Sequence, residues 1–194
     1  MPPLPPTQPP GKNTAGAQKA SLKPFMIIVA IAILIMLSRG NHSQFKPGYS
    51  LPSAPLMALD TAEIIKLEEV VSGSSPVALH FFATWCGSCM REWDDLDIIS
   101  QRHGKDFRVV LIGIDSPEKL KALVSQKPTK LPVLVGGSEI ESAARIRAFP
   151  YTVFVRPDLK VIFDYPGALT ASAFAQARAS LLGNFNSETA KDDR

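Results

Sequence analysis

The segment at residues 76–89 reads PVALHFFATWCGSC, and it decides the fold. Residues 76–83 form a short and strongly apolar run, which is typical of a buried strand. Cys86 and Cys89 follow this strand after a short turn. Apolar side chains then recur every three or four residues up to about His103, which predicts a helix. The two cysteines therefore lie where a buried strand passes into a helix.

The cysteine pair is better explained by chemistry than by architecture. The chain has only two cysteines, three positions apart. A disulfide over so short a loop restricts the unfolded chain little, so it stabilises a fold weakly. At the start of a helix, free backbone N–H groups and the helix dipole favour a thiolate at Cys86. One helical turn brings Cys89 within disulfide reach, so the spacing predicts a redox disulfide between Cys86 and Cys89.

The residues between the cysteines bear on the direction of this chemistry. Gly87 and Ser88 bring no charge and no imidazole, so we expect a reducing protein. A zinc site would need two more nitrogen or sulfur ligands. The histidines His42, His80 and His103 show no ligand spacing. We expect no metal and no cofactor, although thiolates also suit Cu(I), so a copper chaperone stays open as an alternative.

The rest of the globular part alternates strands with helices and ends in a hairpin. This order predicts an α/β domain with a central mixed sheet flanked by helices. The segment at 63–71 fits either a strand or a helix. Further strands are predicted at 56–59, 107–114, 131–135, 153–156 and 161–165, and further helices at 117–126, 138–148 and 170–182.

The N-terminal region differs in composition from the rest. Six of the first ten residues are proline, so residues 1–24 are predicted to be a disordered tail. Residues 25–37 read FMIIVAIAILIML, an unbroken apolar run that Lys23 and Arg39 bracket. We interpret 25–38 as a membrane anchor. A cleaved signal peptide and a soluble helix remain alternatives, because the run is short for a full span.

The remaining segments complete the predicted organisation. Residues 39–53 are rich in Pro, Gly and Ser and are predicted to be a linker, 54–182 a folded domain, and 183–194 a polar C-terminal tail. Lysines preceding the apolar run favour a cytoplasmic N-terminus, with the domain outside the cytoplasm. The formal net charge is +3 with no basic block interleaved with aromatics, so we expect no nucleic-acid partner.

The active-site motif is similar to that of a known superfamily. Residues 81–89 and 149–152 (Phe-Pro-Tyr-Thr) resemble the strand, Cys-x-x-Cys motif and cis-proline loop of the thioredoxin superfamily. Glu92 and the segment at 131–134 resemble its membrane-anchored bacterial thiol:disulfide reductases, which include the cytochrome c maturation thioredoxins. The resemblance covers roughly 54–182. It implies a thioredoxin-like fold with an N-terminal transmembrane anchor.

The resemblance also implies roles for individual residues. Pro150 would be cis and catalytically important, and the loop residues Phe149 and Tyr151 would contact an extended client segment. Trp85, beside Cys86, is a further candidate for client contact. His80 stands where thioredoxins carry a buried acid. We therefore consider His80 as a proton acceptor for the second cysteine, with a structural core histidine as the alternative.

Two further departures from the thioredoxin pattern concern the helix. The usual Gly-Pro between the cysteines is Gly-Ser here, which bears on the redox poise. Asp94 stands where thioredoxins have a helix proline, so the helix is expected to lack that kink.

These observations predict a thiol:disulfide oxidoreductase that acts as a protein-disulfide reductase. It would be single-pass in the inner membrane and face the periplasm. Its partners would be protein thiols or disulfides, such as apocytochrome c, and a membrane electron donor. A disulfide oxidase or isomerase is a further alternative, and the sequence does not fix the oligomeric state.

Overall fold

The computed structural model describes residues 26–29, 44–46 and 48–192, with side chains up to residue 182. Residues 26–29 are helical and their side chains are exposed. The predicted tail at 1–24 and the rest of the predicted anchor at 25–38 lie outside the described residues. In the part of the chain that the structure covers, no helix combines the length and apolarity required to cross a membrane.

The described strands form one mixed sheet, as predicted. They are β1 (Pro55–Ala58), β2 (Ile64–Lys66), β3 (Val77–Phe82), β4 (Arg108–Gly113), β5 (Val133–Gly136), β6 (Tyr151–Val155) and β7 (Val161–Pro166). Their order across the sheet is β2-β1-β5-β4-β3-β6-β7. The central strand β4 runs parallel to β3 and β5, and the outer pairs are antiparallel. The topology places β3, which leads to the cysteines, between β4 and β6.

Helices connect and cover these strands. They are α1 (Leu67–Val71), α2 (Gly87–His103), α3 (Pro117–Gln126), α4 (Ser138–Ala143) and α5 (Ala171–Asp192). Helix α3 has the predicted bounds, because proline suits the first turn of a helix, where its missing N–H is not needed. The ambiguous segment at 63–71 contains both β2 and α1. Leu67 and Val71, one helical turn apart, are both buried there.

Helix α4 is shorter than predicted. It ends at Ala143, and Arg145 has a φ of 52°, in the left-handed region that stops a right-handed helix. The Arg145 guanidinium lies over two aromatic rings, 5.7 Å from the centroid of Phe45 and 5.0 Å from that of Tyr49. Just after the helix ends, Arg145 thus contacts aromatic residues that lie about 100 positions earlier in the sequence.

Part of the segment predicted to be a linker belongs to the folded domain. Phe45 and Leu51 are buried in the core, and the backbone N–H of Gln44 donates to the carboxylate of Asp164. The folded part thus begins before Ala54. At the other end, α5 continues to Asp192, beyond the predicted end of the last helix and into the segment predicted as a polar tail.

The sheet buries a hydrophobic cluster on each of its faces. Because side chains alternate along a strand, Ala78 and Phe82 join the cluster that contains both cysteines. Leu79 and Phe81 point to the opposite cluster. His80 lies in phase with Ala78 and Phe82, so it faces helix α2, which carries the second cysteine.

Candidate functional site

A short turn joins β3 to α2 and places Cys86 at the helix N-terminus. The backbone N–H of Thr84 donates to Asp115, which follows β4, at 2.6 Å. The backbone N–H of Cys86 donates to the carbonyl of Ala83 at 3.1 Å. Cys86 has an extended backbone conformation, as a residue that caps a helix normally has. Hydrogen bonds to residues that directly follow β3 and β4 therefore hold this turn in place.

Cys86 and Cys89 form a disulfide, with their Cα atoms 5.3 Å apart. The Sγ of Cys86 also accepts a hydrogen bond from the backbone N–H of Cys89 at 3.2 Å, so this side chain is the N-cap of α2. Both residues are buried, Cys89 more completely than Cys86. The first sulfur thus lies where a helix N-terminus stabilises negative charge.

Two side chains of the first helical turns lie close to this pair. The Oγ of Ser88 is 3.2 Å from the Sγ of Cys86. The guanidinium of Arg91 lies beside Gly87, where an added Cβ would be 3.6 Å from Nη1. Gly87 and Ser88, between the cysteines, carry no charge. Arg91, however, places a positive charge next to the turn. The spacing of residues i and i+4 on a helix is the sequence signal for this contact.

The loop before β6 forms a second part of the site. The Phe149–Pro150 peptide bond is cis, as the resemblance implied. The ring of Trp85 meets that of Phe149 edge to face, with centroids 5.8 Å apart, and Trp85 is 68% exposed. The carbonyl of Pro150 accepts from the backbone N–H of Gly167 at 2.9 Å. The exposed Trp85 and the half-buried Phe149 therefore form an aromatic platform beside the turn that carries Cys86.

Tyr151 does not join this platform. It is 1% exposed, and its hydroxyl donates to the carboxylate of Asp164 at 2.5 Å. The side chain therefore points into the core, which corrects the expectation that it contacts a client. Burial, the hydrogen bond to Asp164 and the charge of that carboxylate raise the pKa of Tyr151 above its usual range. Asp164 itself was not predicted, although an acid inside the apolar run VIFDY is a visible signal.

His80 is fully buried and lies between a strand and a helix. Its Nδ1 is 3.0 Å from the Oγ1 of Thr152, the residue opposite it on β6. Its Nε2 is 3.2 Å from the Oε1 of Glu92, although these atoms are not aligned as a hydrogen bond. The Oε2 of Glu92 accepts from the backbone N–H of Leu169 at 2.7 Å. Sequence reasoning noted Glu92 in the motif but missed its pairing with His80.

Glu92 lies on the same helix as the second cysteine. It lies three residues after Cys89, so both side chains occupy the same face of α2. That face is buried against the sheet, and His80 reaches it from β3. The carboxylate and the imidazole therefore lie on the buried side of α2, which also carries Cys89. No group of three or more His, Cys, Asp or Glu side chains in the described ranges could hold a metal ion.

The fold and this site define a thioredoxin-like thiol-disulfide oxidoreductase. The model of the AhpC/TSA family matches residues 47–164, and the chain belongs to that family. The chain is 26% identical over 149 residues to the thiol-disulfide oxidoreductase ResA of Bacillus cereus. This alignment covers 75% of this chain and 86% of ResA. It is 27% identical over 120 residues to the chloroplastic thioredoxin X of Arabidopsis thaliana, covering 59% of this chain and 65% of that protein.

Solved structures share the fold. The pneumococcal exposed lipoprotein thioredoxin Etrx1 of Streptococcus pneumoniae superposes with a TM-score of 0.55 at 26% identity, covering 64% of this chain and 96% of Etrx1. The thioredoxin domain of a thiol-disulfide oxidoreductase from Bacteroides vulgatus gives a TM-score of 0.59 at 15% identity, covering 70% of this chain and 98% of that domain.

Proposed function

We propose that this protein reduces disulfides of envelope proteins, of which apocytochrome c is one candidate, through a dithiol–disulfide cycle of Cys86 and Cys89. One observation carries the proposal. The Cys86 sulfur caps the N-terminus of α2 and is bonded to the more deeply buried Cys89. A nucleophile needs an ionised and accessible sulfur, and a resolving cysteine needs to reach it from within the protein.

The cycle begins with both cysteines reduced. The Cys86 thiolate attacks one sulfur of a client disulfide, the client S–S bond breaks, and the second client sulfur leaves as a thiolate. Cys89 then loses its proton and attacks the Cys86 sulfur of the mixed disulfide. The Cys86–Cys89 bond forms, and the client leaves with two more electrons than it brought. A two-electron reductant must then restore the dithiol.

The platform provides a way to hold the client. In the described part of the chain, no hydrogen bond uses the backbone N–H or carbonyl of Phe149. An extended client segment could pair with that backbone by strand addition. The ring of Trp85 would cover the apolar side chains that flank the client cysteine.

The buried pair of His80 and Glu92 is the candidate acceptor for the proton of Cys89. A charged thiolate in the core is costly without a group that takes its proton at the same time. His80 can accept a proton at Nε2, and the Oε1 of Glu92 at 3.2 Å can stabilise the imidazolium that forms. His80 would thus act as a general base during resolution.

The proposed location of the protein rests on the N-terminal sequence. The apolar run at 25–37 and the lysines before it support a single-pass inner-membrane anchor at 25–38 with the domain in the periplasm. A tether would keep the domain close to a membrane electron donor, which a reductase needs in an oxidising compartment.

Reduction of insulin by dithiothreitol tests the activity. The wild-type protein is expected to accelerate insulin precipitation, and Cys86→Ser should abolish the acceleration because the attacking sulfur is gone. Ser100→Ala, a substitution near the far end of the same helix, is the matched control and should keep the wild-type rate. Equal rates for the wild type and Cys86→Ser would refute the proposal.

A further inference from the structure

The hydroxyl of Ser88 lies against the sulfur that the proposed cycle uses as its nucleophile. In the disulfide-bonded protein its Oγ is 3.2 Å from the Sγ of Cys86, and the backbone N–H of Cys89 donates to the same sulfur at 3.2 Å. Ser88 is half-buried and Cys86 is buried, so bulk water competes only partly for this contact. Two donors, one from the backbone and one from a side chain, therefore converge on one sulfur.

The two donors differ in what they depend on. The backbone N–H and the helix dipole act on Cys86 whichever side chain occupies position 88. The hydroxyl exists only because the residue is serine, and the proline usual here in thioredoxins has no donor at all. Position 88 is thus the place where this chain adds a hydrogen bond of its own.

The contact favours one protonation state of Cys86. A thiolate only accepts hydrogen bonds, and a hydroxyl that donates to an ion makes a stronger bond than one between neutral groups. With a protonated thiol the alternatives are weak, because S–H is a poor donor and neutral sulfur a poor acceptor. The hydroxyl therefore stabilises the ionised form more than the neutral form.

From this geometry we infer that Ser88 is a catalytic residue whose hydroxyl stabilises the Cys86 thiolate and makes the cysteine pair a weaker reductant than its neutral Gly-Ser sequence suggests. The thiolate exists only in the reduced protein, so stabilising it favours the dithiol form and raises the reduction potential. This inference rests on the proposed exchange chemistry and names the residue that sets its poise.

The test uses the full chain with Ser88→Ala, and Ser100→Ala as the control. The pKa of Cys86 is read from the ultraviolet absorbance of its thiolate, and the potential from equilibration with glutathione across pH. Ser88→Ala is expected to raise the pKa of Cys86 by about one unit. At a given pH this lowers the ratio of thiolate to thiol about tenfold. Ser100→Ala should leave both quantities unchanged.

The pH dependence separates this role from a structural one. Above the pKa of Cys86 in both proteins, the potential of Ser88→Ala should be more negative by about 30 mV, which corresponds to a tenfold change in the exchange constant. Well below both pKa values neither protein has the thiolate, so the part of the gap that the thiolate causes should disappear, and only the contribution of the hydroxyl to the disulfide form, which it also contacts, should remain. A gap that does not change with pH, or an unchanged pKa of Cys86, overturns the inference.

A second pair of variants keeps the test valid should Ser88→Ala perturb the helix. Ser88→Thr and Ser88→Val have side chains of nearly the same shape, and only threonine has the hydroxyl. Threonine is expected to keep the wild-type pKa and valine to raise it, and equal values contradict the inference. These readouts need no client, so a wild type that fails to reduce insulin would refute the proposed function without deciding the role of Ser88.

Discussion

His80 and Glu92 form a buried titratable pair, and Glu92 lies on the buried side of α2 together with the resolving cysteine. Each is tied at its far side, the imidazole to Thr152 and the carboxylate to the backbone N–H of Leu169. These contacts hold both side chains, whose facing atoms are 3.2 Å apart. A positioned base can take up a proton without reorganising its surroundings, which is what general base catalysis requires.

Removing the imidazole should therefore alter the pH dependence of disulfide reduction. His80→Asn keeps a polar group that can reach Thr152 but no titratable nitrogen. We expect resolution of the mixed disulfide to slow by about 100-fold near neutral pH, with its rate then tracking the pKa of Cys89. The measurement is the rate of single-turnover reduction across pH.

His103→Asn is the matched control, because His103 stacks on Phe174 at the other end of α2. It should keep the wild-type pH profile. An unchanged profile for His80→Asn would leave His80 as a structural residue of the core.

The roles of single residues were predictable only where the motif is local. Cys86 and Cys89 follow from spacing within one helical turn. The pairing of His80 with Glu92 joins a strand to a helix, and the contact of Tyr151 with Asp164 joins two strands. Such pairs depend on which side chains face each other in the folded sheet, and one sequence does not contain that information.

At the scale of elements, Asp164 links three parts of the chain around the cis-proline loop. It lies on β7 and accepts from the hydroxyl of Tyr151, the first residue of β6, and from the backbone N–H of Gln44 at 3.0 Å. The backbone N–H of Gly167, just after β7, donates to the carbonyl of Pro150. The loop that carries Phe149 is thus fixed from the adjacent strand.

Loss of the tyrosine hydroxyl should destabilise this junction. Tyr151→Phe removes a hydrogen bond to a buried carboxylate, so the free energy of unfolding should fall by about 1–3 kcal/mol. Urea denaturation measures the change. Tyr165→Phe, at a half-buried tyrosine of β7, is the matched control and should cost less. An equal loss for the two variants would show that the Tyr151–Asp164 bond contributes little.

The raised pKa of Tyr151 predicts how stability changes at alkaline pH. In the unfolded chain tyrosine ionises near pH 10, whereas in the folded protein burial and Asp164 keep Tyr151 protonated. Above about pH 10 the tyrosine loses its proton in the unfolded state but keeps it in the folded state. Ionisation then stabilises the unfolded state, so the free energy of unfolding falls as pH rises. Tyr151→Phe should show a shallower decline. Parallel slopes for the two proteins would contradict this explanation.

The elements were predictable where local signals agree with packing. Helix α3 has proline in its first turn and was placed correctly. Helix α4 was predicted too long, because nothing in the local sequence marks Arg145 as left-handed. Its cation–π contacts with Phe45 and Tyr49 come from the other end of the domain.

At the scale of the whole molecule, alternating strands and helices were enough to predict an α/β fold with a mixed sheet. The start of the domain was placed too late. Phe45 and Leu51 are buried, but they lie among Pro, Gly and Ser residues whose composition indicates a linker. These two apolar residues are buried because they pack against other side chains of the hydrophobic cluster on one face of the sheet.

The proposed anchor predicts where the full chain is found in a bacterial cell. Because residues 25–37 are apolar and lie between Lys23 and Arg39, the protein should stay in the membrane fraction after an alkaline carbonate wash. A variant that lacks residues 1–40 should appear in the soluble fraction and still reduce insulin. Recovery of the full chain in the soluble fraction would contradict the proposed anchor.

The central claim is that Cys86 is the ionised sulfur and Cys89 the protected one. Alkylation of the fully reduced protein with iodoacetamide across pH, followed by fragmentation of the peptide that carries both cysteines, tests it most directly. The account predicts that Cys86 is modified first, with a pKa below the usual 8.5 or so of a free cysteine. Modification of Cys89 first, or an ordinary pKa at Cys86, would contradict it.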